Sequence, residues 1–387
     1  MTTATKKIQR FFTQYKIVTL LFAVVVIWAL FGSLSDGAFL TPRNFSNLLR
    51  QMAITGMLAS GMVFIIISGE IDLSVGASLG LLGGIAAIMD YTYHFPMAVT
   101  VLTVIALGIA IGLFNGYWVA YLRVPSFIVS LAGFLAFRGM LLGITKGTTV
   151  PLESQGLVLI GQGYLPITFG NILGVVVFGL LAFLAIKTRT GRMQHGLSVA
   201  PLWQDMGKLA AIAVVIVGFV YTLNQYEGIP VPVLATLIIL GIFSFIANKT
   251  VFGRRIYSIG SNVEATRLSG VNVRFIKMMV FAMMGLMCAF AGLTTTARLA
   301  AGSPSAGNLG ELDAIASCFI GGASAYGGTG TVPGVIVGAV LMGVINLGMS
   351  LMGVDQNMQK VVKGLVLLAA VIFDVVSKRG GKLIAKN

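Results

Sequence analysis

Two short acidic motifs stand beside apolar runs, and their side chains are the first candidates for chemistry. Each motif reads Gly-Glu-Ile/Leu-Asp, and the four carboxylates are Glu70, Asp72, Glu311 and Asp313. A carboxylate inside a membrane is costly, so it usually pairs with a cation or serves an ion, proton or substrate pathway. These four groups are therefore candidates for a hydrophilic pathway or for the ends of broken helices.

The same carboxylates have an alternative, structural interpretation. Asp72 comes just before one apolar run, and Glu311 or Asp313 begins another, so each could cap a first helical turn. A carboxylate there would lie at the positive end of the helix dipole. Three other polar side chains are candidates for the pathway or for a broken helix: Ser74, Asn115 and Ser303. Asn115, in a glycine-rich run, could instead form a hydrogen bond between helices.

The longest polar segment, residues 249–277, holds a candidate site of another kind. It carries six of the 26 lysine and arginine residues: Lys249, Arg254, Arg255, Arg267, Arg274 and Lys277. Basic residues between apolar runs mark the cytoplasmic side of a membrane protein. We predict that this segment is a cytoplasmic loop between two membrane-spanning helices.

The middle of this loop has the pattern of a short helix. Ser261 followed by Glu264 is a capping-box pattern, which predicts that the helix starts there. Gly270 supplies the left-handed residue that commonly ends a helix. Ala265 and Leu268, three residues apart, would share one face. We interpret a helix capped at both ends as an element that presses against a partner.

Other reactive residue types show no pattern that predicts catalysis or cofactor binding. Cys288 and Cys318 both lie in apolar runs, where we expect buried thiols that act as small hydrophobes. His94 and His195 have no neighbouring metal-ligand pattern. The glycine-rich residues 321–334 lack the Gly-Lys-Ser/Thr ending of a phosphate-binding loop. We predict no catalytic residue, no metal site and no ATP site on this chain.

The composition indicates that membrane helices must position these side chains. Hydrophobic residues make up 57% of the chain and charged residues 10%, whereas soluble domains are about a quarter charged. The net charge is +14, and 18 of the 26 basic residues fall in four clusters: residues 1–16, 187–208, 249–277 and 378–387. Such clusters beside apolar runs mark cytoplasmic segments and argue against nucleic-acid binding. Both termini should therefore be cytoplasmic.

Twelve apolar runs are candidate membrane spans, since a helix needs about 20 apolar residues to cross a bilayer. They are residues 17–34, 52–68, 73–89, 97–122, 127–144, 171–186, 209–223, 231–247, 275–297, 311–326, 332–352 and 361–376. Some are short and bounded by glycine and carboxylates. We predict an all-α polytopic bundle of about 10–12 transmembrane helices with broken or re-entrant elements. Its parts would be a cytoplasmic tail at 1–16, a single transmembrane domain at 17–376 and a cytoplasmic tail at 377–387.

Glycines at helix-packing spacing predict a tightly packed bundle. They are Gly80, Gly83, Gly108, Gly112, Gly116, Gly334 and Gly338. Small residues let helices approach closely in lipid. The two acidic motifs also each precede a glycine- and alanine-rich apolar run, which is either a weak internal repeat of the kind found in transporters or a coincidence.

Several longer motifs resemble the permeases of pentose and hexose ABC importers. In chain order they are residues 71–76 (IDLSVG), 124–132 (VPSFIVSLA), 252–260 (FGRRIYSIG), 264–270 (EATRLSG), 302–307 (GSPSAG) and 310–316 (GELDAIA). The resemblance covers residues 40–376. Within the family, two features resemble the D-xylose branch. One is Glu70, since many ribose-type members have glycine at this position. The other is the extra segment at residues 188–228.

This resemblance implies a sugar permease of the bacterial cytoplasmic (inner) membrane that works as a homodimer. A periplasmic binding protein would deliver the sugar, and a cytoplasmic ATPase subunit, which holds ATP and Mg²⁺, would drive alternating access. The family's Glu-Ala-Ala…Gly coupling helix corresponds here to Glu264, Ala265, Thr266, Arg267, Leu268, Ser269 and Gly270. Thr266 replaces the second alanine of that pattern. The chain itself would bind no cofactor.

A proton-coupled secondary sugar transporter is the alternative function, with the four carboxylates as proton sites. Such a transporter would need no ATPase, and the capped cytoplasmic helix would have no role in it. All four carboxylates lie at the edges of predicted spans, and no basic partner is expected mid-span; Arg138, near a span end, should snorkel to the interface. A membrane enzyme or a channel is disfavoured because the chain has no nucleophile–base pair, metal cluster or repeated filter sequence.

Overall fold

The computed structural model describes residues 16–384, and within this part the chain is mostly helical. The predicted tail at residues 1–16 lies outside the described residues except for Lys16, and the tail at 377–387 is described only as far as residue 384. The described residues therefore cover nearly all of the predicted membrane domain, from residue 17 to residue 376, and only part of the two predicted tails.

Helices account for nearly every element of the described chain. In chain order they are α1 (Lys16–Leu34), α2 (Pro42–Ile67), α3 (Val75–Tyr91), α4 (Met97–Ala120), α5 (Ser126–Thr145), α6 (Gln155–Gln162), α7 (Ile167–Gln194), α8 (Leu202–Asn224), α9 (Val231–Lys249), α10 (Val251–Ser261), α11 (Val263–Leu268), α12 (Val273–Leu299), α13 (Gly310–Ile320), α14 (Val332–Leu351) and α15 (Gln356–Ile384). A 3-10 turn spans Ala38–Leu40. The strands β1 (Val150–Pro151) and β2 (Ala301–Gly302) form one antiparallel pair.

Eight helices of the described chain are long and apolar enough to cross a membrane: α2, α4, α5, α7, α8, α9, α12 and α14. Two other apolar helices, α3 and the part of α1 from Phe22 onward, are shorter. Each of the twelve predicted spans overlaps one of these ten helices or α13 or α15. The prediction of an all-α polytopic membrane protein is confirmed.

Helices α2 and α12 form the centre of the bundle. Residues 55–67 of α2 are all buried, as expected of a helix that other helices surround. Phe64 of α2 stacks on Phe243 of α9, with ring centroids 5.3 Å apart. α2 packs against α9, α12, α13 and α14, and α12 also packs against α3, α4 and α6. These two helices therefore contact most of the elements that carry candidate site residues.

Glycines make the contact between α4 and α12 close. A Cβ at Gly108 would lie 2.6 Å from the carbonyl oxygen of Gly285, and one at Gly112 would overlap the carbonyl oxygen of Phe281. On α14, a Cβ at Gly338 would overlap a carbonyl oxygen of α13. The packing role predicted for these glycines is confirmed, because a side chain at these positions would collide with the backbone of the neighbouring helix.

The hairpin of α7 and α8 lies at the edge of the bundle. In the described chain, each helix has a single buried residue, Gly170 in α7 and Leu223 in α8. The two helices pack on each other, and α8 also contacts α2. The hairpin includes most of residues 188–228, the extra segment noted in the sequence, and its apolar side chains are largely exposed, as on a lipid-facing surface.

Two segments beside the central helices are not helical, in agreement with the predicted broken elements. Residues 68–74 form a turn and an irregular stretch between α2 and α3, and residues 303–309 separate β2 from α13. The predicted span 311–326 is wrong at its end, since α13 stops at Ile320. Two glycines follow, and Gly322 has a φ of +90°, a left-handed conformation that ends a helix.

Several short elements are missing from the sequence prediction. α6 has eight residues and is too short to give a long apolar run. The predicted single helix within residues 249–277 is incomplete, because the structure has both α10 and α11 there. α10 is amphipathic and buries only part of its surface. Its charged residues therefore make this stretch of sequence resemble a polar loop.

Replacing Gly112 with alanine should destabilise the protein, because the new methyl group would overlap the carbonyl oxygen of Phe281. Overpacking of this kind costs about 1–3 kcal/mol. Unfolding of the purified protein in detergent, followed by circular dichroism, measures the change. Gly139→Ala in α5 is the matched control, since a Cβ there has no atom within 4 Å. Equal unfolding midpoints for the two variants would contradict the close contact between α4 and α12.

Candidate functional site

Helices α10 and α11 form the first candidate site. α10 begins after Thr250, whose hydroxyl accepts a hydrogen bond from the N–H of Gly253 at 3.1 Å. One side of α10 buries Ile256 and Ile259. In α11 the buried residue is Thr266, the position at which threonine replaces the alanine of the family pattern. α10 is therefore anchored on the bundle, whereas most of α11 remains exposed.

The start of α11 differs from the predicted capping box. The Oδ1 atom of Asn262 accepts a hydrogen bond from the N–H of Ala265 at 3.0 Å, so Asn262 is the cap. The Ser261 hydroxyl donates to a carbonyl of its own helix at 2.9 Å, because α10 continues through Ser261. Glu264 forms an ion pair with Arg267 at 2.7 Å and does not reach back to the cap. The predicted capping residue is wrong by one position.

The end of α11 agrees with the prediction. Gly270 has a φ of +84°, the left-handed conformation expected after a helix. Its N–H donates to the carbonyl of Arg267 at 3.0 Å. Leu268 exposes 84% of its surface, and Ala265 is exposed as well. α11 is thus a short helix, capped at both ends, that presents Leu268 outward.

Backbone contacts join α10 to the ends of α2 and α13. A Cβ at Gly260 would overlap the carbonyl oxygen of Ile67 and lie 2.5 Å from the nitrogen of Gly328. The N–H of Gly328 donates to the same Ile67 carbonyl at 2.9 Å. The Tyr257 hydroxyl donates to the carbonyl of Gly330 at 2.7 Å. The loop after α13 is therefore held between α10 and the end of α2.

Glu70 connects the irregular segment after α2 to the start of α12. Its carboxylate forms an ion pair with Lys277, and both side chains are mostly buried. Lys277 belongs to the polar segment that also contains α11. Glu70 is thus a link between the coupling loop and the first broken element.

Asp72, Ser74 and Asn115 form one buried hydrogen-bonded chain. The Oδ1 atom of Asp72 accepts from the N–H of Ser74 at 2.9 Å and from its hydroxyl at 2.6 Å. The side-chain amide of Asn115 on α4 donates to the Ser74 hydroxyl at 3.1 Å. Asp72 therefore fixes the turn before α3 but does not cap the helix, which starts at Val75. Asn115 thus joins α4 to the turn before α3, rather than to a residue within a helix.

Of the two acidic residues of α13, Asp313 is paired with side chains of two other helices. Glu311 and Asp313 lie in its first turn, and neither side chain caps the helix with a hydrogen bond. Asp313 accepts from Lys363 of α15 at 2.9 Å and from the side-chain amide of Asn346 of α14 at 3.1 Å. Neither residue caps the helix through its side chain, but both lie at the positive end of the helix dipole, as the structural interpretation expects. Lys363 is the third residue of the predicted span 361–376, so this basic partner lies at a span edge and not mid-span.

The first turns of α3 and α13 meet inside the bundle. A Cβ at Gly76 would lie 3.3 Å from the backbone nitrogen of Glu311. Arg138 of α5 donates to the carbonyls of Pro304 and Ala306, each at 3.0 Å. Arg138 therefore binds the non-helical backbone before α13 and does not simply snorkel. We call the residues around these two helix starts the polar junction: Asp72, Ser74, Asn115, Arg138, Glu311, Asp313, Asn346 and Lys363.

Ser303 lies apart from the hydrogen bonds of the polar junction. Its hydroxyl is 2.9 Å from the hydroxyl of Ser305, within the same irregular stretch. Arg138, Asn346 and Lys363 belong to the junction although the sequence analysis does not select them. Charged residues inside apolar runs are the signal for the arginine and the lysine, because a buried charge needs a partner.

Cys288 and Cys318 are free and buried, as predicted. Among the described residues, no group of three or more histidine, cysteine, aspartate and glutamate side chains could hold a metal ion. The chemistry of the two sites consists of hydrogen bonds and ion pairs, which can hold helices and bind polar groups.

Comparison with known proteins relates this arrangement to transport. Residues 44–371 match the model of the family described as branched-chain amino acid transport system / permease component. The chain is 53% identical to the xylose transport system permease protein of Haemophilus influenzae, over 93% of this chain and 96% of that protein. The xylose transport system permease protein of Escherichia coli strain K12 is 52% identical, over 92% and 91%. The ribose import permease protein of Bacillus subtilis is 35% identical, over 92% and 90%.

No solved structure matches the chain. The family model covers most of the chain, including both candidate sites, and the relatives match nearly full length. These matches agree with the resemblance found in the sequence motifs. The chain is a multi-pass membrane protein that belongs to the branched-chain amino acid transport system / permease component family.

Proposed function

We propose that this chain is the membrane subunit of an ATP-binding-cassette importer that carries D-xylose, or a related pentose, across the bacterial inner membrane. The observation that carries the proposal is the 53% identity to a xylose permease over 93% of the chain, against 35% to a ribose permease. Although the family description mentions amino acids, the similar relatives are sugar permeases. The sugar-permease motifs of the sequence support the same substrate class.

The proposed partner of α11 is a separate ATPase subunit that holds ATP and Mg²⁺. α11 is capped at both ends, and its exposed Leu268 provides an apolar side chain for a groove on that partner. The basic residues of the segment favour a cytoplasmic location, where ATP is available. The chain would bind no nucleotide itself. A periplasmic sugar-binding protein would dock on the opposite face, and two copies of the chain would form the permease.

The contacts of α10 provide a path from the ATPase to the broken elements. A movement of α11 would shift α10, which touches the end of α2 at Ile67 and the loop after α13 at Gly328. The irregular segment that follows Ile67 contains Glu70, which is paired with Lys277 of α12. Both broken elements would therefore move with the ATPase, and the polar junction would hold their inner ends together during alternating access.

The junction also bears on the alternative of a proton-coupled secondary transporter. Two of its four proposed proton sites, Glu70 and Asp313, are ion-paired with Lys277 and Lys363. Both carboxylates therefore already have a structural role in joining segments of the chain. A proton-coupled mechanism would also leave α11 without a role. We therefore favour the ATP-driven importer.

ATP hydrolysis by the permease co-purified with its ATPase subunit in lipid tests the proposal. We expect stimulation by a sugar-binding protein loaded with D-xylose, and much less by the same protein without sugar. Stimulation only with ribose would keep the ATP-driven importer and overturn the assignment of D-xylose as the substrate. Sugar uptake that needs no ATPase and collapses with an uncoupler would overturn the whole proposal in favour of proton coupling.

Leu268→Asp should abolish sugar-stimulated ATP hydrolysis, with a loss of about tenfold or more, because a charge would enter an apolar contact with the ATPase. The side chain is 84% exposed, so folding of the permease should be unaffected. Leu197→Asp is the control, since Leu197 is also exposed and lies in the loop between α7 and α8. If Leu268→Asp and Leu197→Asp hydrolyse ATP at the wild-type rate, α11 is not the coupling element.

Breaking the ion pair between Asp313 and Lys363 should destabilise the bundle. Each single change, Asp313→Asn or Lys363→Met, leaves one mostly buried charge without its partner, which costs about 3 kcal/mol. The double variant should lose less than the sum of the two single losses. Unfolding in detergent of the four proteins gives this coupling. Additive losses would show that the two side chains do not interact in the folded protein.

A further inference from the structure

A polar cleft of about 380 Å³ opens beside α11. Its walls are the turn between α4 and α5, the side of α11 and the first turns of α12. Four basic side chains face it: Arg123, Arg267, Arg274 and Lys277. Two acidic side chains, Glu70 and Glu264, also line it. The cleft therefore carries an excess of positive charge.

Two of the four cations are already paired. Arg267 forms an ion pair with Glu264, and Lys277 forms one with Glu70. Arg123 and Arg274 form no ion pair with any side chain of the described residues. The cleft thus has two arginines available for an anion that the chain itself does not supply.

The position of Arg274 is unfavourable unless an anion is nearby. It lies in the first turn of α12, where the helix dipole is positive and acidic residues are preferred. Arg123 has a φ of +57°, a left-handed conformation that costs a residue with a side chain some free energy. Arg274 thus has an electrostatically unfavourable position, and Arg123 has an unfavourable backbone conformation. Both side chains nevertheless face the same cleft.

Exposed aromatic side chains lie close in the chain to the residues that line the cleft. They are Tyr117, Trp118, Tyr121, Phe127 and Phe275. Tyrosine and tryptophan concentrate at the level of the lipid headgroups. Phe275 directly follows Arg274, and Tyr121 comes two residues before Arg123. We therefore expect the two arginines to lie at the boundary between the acyl chains and water.

We infer that this cleft binds the phosphodiester headgroup of an anionic phospholipid. Basic clefts between membrane helices on the cytoplasmic side are suited to such headgroups. Arginine binds phosphate oxygens in a bidentate manner, and the acyl chains would lie along the exposed apolar residues of α4 and α5. The bound lipid would contact the side of α11 and would leave the outward face with Leu268 free. This inference does not depend on the transported substrate.

Native mass spectrometry of the full-length chain in a mild detergent, with any partner subunits that remain bound, tests the inference. The probes are phosphatidylglycerol and phosphatidylcholine with the same acyl chains. We expect the wild type to retain phosphatidylglycerol preferentially. R123Q/R274Q should bind it about 30-fold more weakly, since the variant lacks two basic residues that each contribute to the attraction of anionic lipid. R123K/R274K, which keeps both charges, should retain most of the binding.

The matched control is R254Q/R255Q, which removes the same charge from the exposed side of α10 outside the cleft. It should bind phosphatidylglycerol like the wild type. If R123Q/R274Q does not fold, R123Q and R274Q are compared singly, and each should weaken binding.

Equal loss in the control and the cleft variant would overturn the inference, because it would show diffuse attraction only. Equal retention of the two lipids by the wild type would also overturn it. Competition by inorganic phosphate at the lipid concentration would assign the cleft to a soluble anion. Loss of the ATPase subunit in R123Q/R274Q with unchanged lipid binding would assign the two arginines to a protein partner.

Discussion

The need to satisfy every backbone polar group inside a bilayer governs this structure. Most of the chain meets that need with helices, but residues 68–74 and 303–309 do not. Asp72 accepts from the backbone of the first segment, and Arg138 donates to two carbonyls of the second. The charged residues of the polar junction are thus required wherever the helices are broken. The broken helices in turn bring the first turns of α3 and α13 together.

Buried charges beside the broken elements create a second requirement, since each must have a partner in a medium of low polarity. Lys363 and Asn346 supply partners for Asp313 from two further helices, and Lys277 supplies one for Glu70. Two ion pairs and one hydrogen bond therefore connect α12, α15 and α14 to the broken elements. Close backbone approach at glycines such as Gly112 and Gly338 fixes the same helices at short distance. Packing and electrostatics specify one arrangement together.

The sequence predicts the features that depend on local pattern and fails on those that depend on partners far along the chain. Hydrophobic runs locate all twelve main helices, and Gly270 marks the end of α11, because both signals lie within a few turns. The pairing of Asp313 with Lys363 joins residues 50 positions apart, so no local pattern encodes it. The cap of α11 shifts from Ser261 to Asn262 because α10 extends to meet it. α6 is missed because eight residues give too weak a periodic signal.

The contact at Gly260 has a mechanical consequence. Because it joins main-chain atoms of α10, α2 and the loop after α13, no side-chain rotamer can yield when one of these elements is displaced. Such a contact is rigid, so a displacement of α10 is transmitted to α2 and to the loop after α13 with little loss in amplitude. A contact made through long side chains would be flexible, because the side chains could rearrange and absorb part of the displacement. Glycine at this point therefore gives the linkage its stiffness as well as its closeness.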